Sequence, residues 1–188
     1  MKYLTIVRHA EAAPSRENDF ARCLTVKGER DAKALGSYFT QISFTQISFE
    51  KNRQKKQLPK IDAMIASSAK RTTQTAHAFA HGIQYPLADI QFSTDLYHAE
   101  VQEVFGKLMQ CGDAIHVAWV GHNPTIESVC AALLWNDAEK TEAEIFAPAS
   151  FAVLSLEIDD WKELTASMGS LEAFASPPYE PACGLKIK

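Results

Sequence analysis

Cysteine is sparse and scattered. Cys23, Cys111, Cys130 and Cys183 form no C-x-x-C pair and no ligand-like spacing with histidine. That pattern gives no support to a disulfide framework or a zinc ribbon, and is the pattern expected of reduced thiols in a cytoplasmic protein. A basic excess is missing too. Nineteen Lys and Arg stand against 23 Asp and Glu, for a formal net charge of −4. Nonspecific nucleic-acid binding, which needs basic surface, has no footing in that balance. No apolar run approaches the length of a membrane span. The stretch Tyr3–Val7 stops at Arg8, too short for a secretory signal, so neither a leader nor a membrane partner is expected.

What is present is ordinary globular material. The 188 residues are 46% hydrophobic and 22% charged, which suits one domain that buries roughly 70% of its unfolded surface. Four apolar segments read as strands: Leu4–Val7, Ile61–Ala66, Ala114–Val120 and Phe151–Ile158. Helical spacing lies between them. Thr25 can cap a helix carrying Ala32, Leu35, Gly36 and Phe39 on one face. Ser67 or Ser68 can cap Lys70–His81, and Glu100–Gln110 places Val101, Val104, Phe105 and Leu108 together. Asn123-Pro124 signals a further start, followed by Ile126, Val129, Cys130 and Leu133 at helical period. Strands alternating with helices predict a single-domain, three-layer α/β/α fold with a mostly parallel central sheet.

Two stretches stand apart. Residues 40–49 read TQISFTQISF, a tandem copy followed by the basic, polar run Lys51–Gln57. Two copies are too few for a solenoid, so a small ribbon and an exposed loop are expected, with 42–57 set as an insertion. From Ser176 onward, Pro177, Pro178 and Pro181 predict an irregular tail.

Three polar clusters follow three of the strands directly. They are Arg8-His9-Ala10-Glu11, the run Ser67–Ala76, and Gly121-His122-Asn123-Pro124. In open α/β sheets the carboxyl ends of the strands line the ligand crevice, so the clusters should meet at one rim. Lys70 and Arg71 would fall in the first turn of a helix, where the macrodipole disfavours cations unless an anion sits beside them. His122 likewise precedes a helix N-terminus, a natural anion site. With Arg8 the set fits a tetrahedral phosphoryl group, because arginine's planar fork binds two oxygens.

At this point the ordered motifs carry a resemblance. R-H-A-E, then Arg22-Cys23-Leu24-Thr25 with Gly28, S-S-x-x-R-T-x-Q-T-A, Leu96-Tyr97-His98-Ala99 and G-H-N-P occur in one order along nearly the whole chain. The chain resembles the histidine phosphatase superfamily, of phosphoglycerate mutase-like fold, and especially its small SixA-like phosphohistidine phosphatase branch. The resemblance implies that His9 attacks phosphorus and carries the phosphoryl group. It implies that Arg8, Arg71 and His122 bind the phosphoryl oxygens. Arg22 is a candidate for the substrate rim, with a surface ion pair as its alternative. Ala10 replaces the glycine common after the first histidine in the wider superfamily, and alanine at this place resembles the small branch.

The larger relatives place a glutamate in the central region as general acid, and Leu96-Tyr97-His98-Ala99 offers none. Asp95, His98 and Glu100 are the nearby candidates. A leaving imidazole, whose conjugate acid has a pKa of about 6.5, needs such a donor far less than an alkoxide does. The expected substrate is therefore a phosphorylated protein, such as a histidine phosphotransfer domain. A small phosphorylated metabolite or phosphoserine is the alternative, and a phosphate-binding module without turnover is the third reading. No carboxylate cluster flanks the site for magnesium, so no metal and no cofactor are expected. His77 and His81 lie one turn apart without a third ligand, which favours a surface helix face over zinc. His116 is expected to be a packed or paired core histidine, Glu11 either a site contact or a backbone cap, and Trp119 and Trp135 core or partner-facing. The run Lys51–Lys56 is either solvated loop or a dock for an acidic partner.

Overall fold

The computed structural model describes residues 1–15, 18–44, 47–48, 55–134 and 146–179. Trp135, Cys183 and most of the expected tail lie outside them. The elements run β1 (Lys2–Arg8), α1 (Val26–Phe44), β2 (Ile47–Ser48), β3 (Lys55–Lys56), β4 (Ala63–Ser67), α2 (Lys70–Gly82), β5 (Ile90–Ser93), α3 (Val101–Leu108), β6 (His116–Gly121), α4 (Thr125–Leu134), β7 (Phe151–Leu156) and β8 (Gly169–Ala175). Among the described residues the main sheet has six strands in the order β5-β4-β6-β1-β7-β8. The β5/β4, β4/β6 and β6/β1 pairings are parallel, and β7 and β8 add antiparallel edges. No helix among the described residues is long and apolar enough to cross a membrane.

Strand alternation builds the three layers. Along β1, Leu4 and Ile6 enter one core with Trp119, Ile126, Val129, Leu133, Val104 and Trp161. Tyr3 and Val7 enter the other with Leu35, Phe39, Ile42, Phe79 and Phe151. Each face of the sheet is thus sealed by its own helices, α3 and α4 on one side, α1 and α2 on the other. Trp119 is fully buried in the first core. His116 is a paired core histidine: Nδ1 donates to the Pro59 carbonyl at 2.8 Å, leaving Nε2 to accept from Thr5 Oγ1 at 2.7 Å.

The helix starts differ from the sequence expectation in two places. Thr25 does cap α1, with Gly28 N–H donating to its Oγ1 at 2.9 Å. The N-cap of α2, however, is Ala69, and no side chain caps it. Ser67 is still in strand β4, and its hydroxyl is turned to His122. Helix α4 begins at Thr125 rather than Pro124, and Asn123 does not cap it: its amide donates to Glu127 and the Phe146 carbonyl, and its Oδ1 has no partner among the described residues. The first TQISF copy is the end of α1, while Ile47 and Ser48 of the second form a two-stranded ribbon with Lys56 and Lys55. The remaining residues of the repeat and of the basic run fall outside those described.

Candidate phosphoryl-transfer site

The parallel register brings the three polar clusters to the same end of neighbouring strands. Arg8 pairs with Gly121 across β1 and β6, and Ala66 of β4 pairs with Val120. His9 continues the ladder by donating its N–H to the Gly121 carbonyl at 3.1 Å, and Ala149 N–H returns to the His9 carbonyl. Ala10 N–H is held by Thr75 Oγ1 from α2 at 3.0 Å. The Glu11 carbonyl accepts from Thr25 N–H, and a Cβ on Gly28 would lie 2.1 Å from that oxygen. Glycine at 28 is therefore what lets α1 start against the histidine loop.

Hydrogen bonding fixes which nitrogen of His9 is available. Nδ1 is 2.8 Å from the Ala10 carbonyl. A carbonyl only accepts, so Nδ1 carries the proton and Nε2 carries the lone pair. Arg71 Nε–H points at that lone pair from 3.3 Å. Burial, followed by the positive charges of Arg71, Arg8 and Arg22, pushes the His9 pKa down to about 4, against an opposing contribution from the Ala10 carbonyl. His9 is therefore a neutral imidazole at pH 7. Its ring lies 5.1 Å from that of His122, edge-on. Burial and then His9, Arg71 and His98 push His122 down to about 3, so it too is neutral.

The guanidinium groups converge on the same spot. Arg71 is buried, with Nη1 donating to the Asp19 carbonyl at 2.7 Å and Nη2 to the Asp19 carboxylate at 3.0 Å. These contacts leave one N–H on each Nη for a ligand. Arg8 donates through Nη1 to the Phe146 carbonyl, while its buried Nε has no partner among the described residues. Arg22 is anchored by the Ala13 and Ala12 carbonyls and by Asp19 at 2.9 Å. Its charge still acts on His9, while its side chain is held in an ion pair with Asp19.

Asp19 was not singled out from the sequence, and Tyr97 stood in the Leu96-Tyr97-His98-Ala99 motif with no role given to it. The Asp19 carboxylate accepts from Tyr97 Oη at 2.5 Å, Arg22 and Arg71, and the hydrogen bond from Tyr97 is the largest influence holding its pKa far below the carboxylate range. Tyr97 also packs edge-on to Phe20 and to His122. For Asp19 the sequence signal was its i, i+3 spacing to Arg22 in a polar loop.

The three candidate acids part company. Asp95 is bound to Lys107 at 2.7 Å and to Ser93, which hold it ionised and so unfit to donate a proton. Glu100 is the N-cap of α3, accepting from the backbone in a capping box with Glu103. His98 lies beside His122. It adopts a left-handed backbone (φ 59°), packs tilted against Tyr97 with ring centroids 4.0 Å apart, and lines a cavity of about 450 Å³ with Glu100, Gln102, His122, Asn123 and Ser128. A larger cavity of about 630 Å³ lies between α1 and the start of β4, and none of the site residues lines it. Glu11 accepts from Thr25 Oγ1 at 2.8 Å and so braces the start of α1. His77 packs against Phe92, and no group of three His, Cys, Asp or Glu among the described residues could hold a metal ion.

Comparison with known proteins places this geometry. No protein-family model matches the chain. An uncharacterized protein of Mycobacterium tuberculosis is 28% identical over 179 residues, covering 91% of this chain and 99% of the relative. A candidate phosphohistidine phosphatase SixA from Nakamurella multipartitia is 29% identical, with a TM-score of 0.75 over 95% of this chain and 97% of the other. A SixA protein histidine phosphatase solved with tungstate shares the fold at a TM-score of 0.71 and 18% identity, covering 93% and 97%. The fold is that of the histidine phosphatase superfamily. Within it, the chain takes the SixA-like form, matched along nearly its whole length.

Proposed function

We propose that the protein is a phosphatase working through a phosphohistidine on His9, and that its substrate is phosphohistidine carried by a protein. The observation that carries this reading is the His9 ring. Its Nδ1 proton is tied to the Ala10 carbonyl, so the free lone pair on Nε2 faces the Arg71 guanidinium. In the first step Nε2 attacks phosphorus as the bond to the leaving group breaks. Arg8, Arg71 and His122 bind the three non-reacting oxygens, and Arg22 adds positive potential at the rim. In the second step water attacks the phosphorus, the P–N bond breaks, and the electron pair returns to Nε2 with release of inorganic phosphate. Positioning and electrostatic stabilisation supply the catalysis, as phosphoryl transfer requires. No step in this scheme calls on a metal or cofactor.

The leaving group decides the substrate class. Asp95 is paired with Lys107 and Glu100 is held in the α3 capping box, so neither candidate carboxylate is free to protonate an alkoxide. A phosphoimidazole protonated on its other ring nitrogen releases neutral imidazole without that help. His98 supports the second reading, a small phosphomonoester, because it lines the cavity beside His122, where the other candidate, Glu100, is held in the α3 capping box. A side-by-side assay decides between them. Wild type should clear a phosphohistidine protein far faster than a panel of phosphomonoesters, and His98→Ala should retain that activity. A strong preference for a phosphomonoester, lost in His98→Ala, would establish the second reading.

A further inference from the structure

We infer that Ser67 is a positioning residue that sets the tautomer of His122, so that its Nδ1–H is held ready for a phosphoryl oxygen. Ser67 ends strand β4 and is fully buried. Its Oγ lies 2.9 Å from His122 Nε2, and Ala69 N–H approaches the same oxygen at 3.4 Å. Those are its only hydrogen-bond partners among the described residues. Were His122 to donate through Nε2, Ser67 Oγ would accept twice and its own proton would have no acceptor in a dry site. Satisfying every group requires the reverse: Ser67 accepts from Ala69 and donates to Nε2. The single proton of the neutral imidazole then sits on Nδ1.

The other side of the ring shows what that proton is for. Nδ1 is buried and has no partner among the described residues. An unpaired buried donor is costly, so it is retained where a ligand completes it. Around the ring lie His9 at 5.1 Å, Tyr97 at 5.5 Å and the charge of Arg71, none of which can accept from Nδ1 in the arrangement observed. An oxyanion entering between His9 and Arg71 can accept. Burial, with the charge of Arg71 beside it, keeps His122 from taking a second proton, so its donor must come from tautomer choice rather than from charging. A serine that reads from the sequence as a helix cap thus has a different role, since Ala69 takes the cap position and the hydroxyl serves the histidine.

The test reads the tautomer directly. Imidazole ¹⁵N shifts of uniformly labelled protein at pH 7, with His122 signals assigned by their loss in His122→Asn, should show protonated Nδ1 and bare Nε2 in wild type. Ser67→Ala, a small change at a buried position, should lose that preference, and Ser67→Thr should keep it. Turnover should fall roughly tenfold in Ser67→Ala, the worth of one misplaced charge-assisted hydrogen bond, with KM little changed and recovery in Ser67→Thr. A wild-type Nε2–H tautomer overturns the inference whatever the activity. So does an unchanged tautomer in Ser67→Ala. The inference rests on the phosphatase reading for its rate measurement alone; the shifts are read without substrate, so the two fail separately.

Discussion

His9 is held neutral by position rather than by pH. With its pKa pushed down to about 4, a ¹⁵N titration should show the ring uncharged from pH 7 to near pH 5, whereas an exposed histidine would be mostly charged by then. A midpoint near 6.5 would contradict the burial argument. Arg71→Ala removes the guanidinium that faces Nε2 and should cost about 3–4 kcal/mol of transition-state stabilisation, read as a drop in kcat/KM of two to three orders of magnitude. Asp19→Asn tests the residue that motif reading passed over. Loss of its charge should loosen Arg71 and Arg22 together, lowering kcat about tenfold while leaving the fold intact by circular dichroism. His9, Arg8, Arg71 and His122 were legible because each follows a strand inside an ordered motif. Asp19, Tyr97 and Ser67 were not, because their roles are contacts made across 52, 78 and 55 residues. A polar loop residue, a tyrosine and a serine carry no period or spacing that announces such partners.

Elements place these residues, and the tightest joint lies between α1 and α2. A Cβ on Gly82 would sit 2.6 Å from Gly36 Cα, and one on Gly36 would sit 2.9 Å from Gly82 Cα. Both neighbours are backbone, so no side chain can swing aside. Thr40 Oγ1 crosses the same joint to the Gly82 carbonyl at 3.0 Å. Gly82→Ala should therefore destabilise by roughly 1–3 kcal/mol, seen as a lower urea midpoint at unchanged slope. An unchanged midpoint would show that the helices separate freely. At this scale the sequence was most legible where periodicity ran long, as in α1, and where strands were buried on both faces, as in β1, β4, β6 and β7. Strands β5 and β8 escaped because they are sheet edges. Ile90–Ser93 is four residues with only Ile90 buried, and Gly169–Ala175 is intermediate along most of its length, so neither shows clean alternation. The start of α2 misled for a related reason: a serine before a helix looks like a cap, and only the fold shows His122 standing beside it.

For the molecule as a whole, three neutral histidines make stability depend on pH. His116 and His9 are pushed down to about 4 and His122 to about 3, all chiefly by burial. Between pH 6.5 and about 4 the unfolded chain binds protons on these residues that the folded chain refuses. Unfolding free energy therefore rises with pH through that window and is lost as pH falls through it. His116 alone is worth roughly 3 kcal/mol across the window. The urea midpoint should climb steeply from pH 4.5 to 7, and less steeply in His116→Gln; equal slopes would remove His116 from the account. The same design joins stability to chemistry, since the partial burial that keeps His9 neutral also strengthens the attraction between cations and a phosphoryl group.

The most direct test of the central claim is to catch the phosphoenzyme. Wild-type protein mixed with a ³²P-phosphohistidine protein and quenched within milliseconds should carry an acid-labile, base-stable label that maps to His9, with none in His9→Ala. A label on another residue, or full turnover by His9→Ala, would contradict the account.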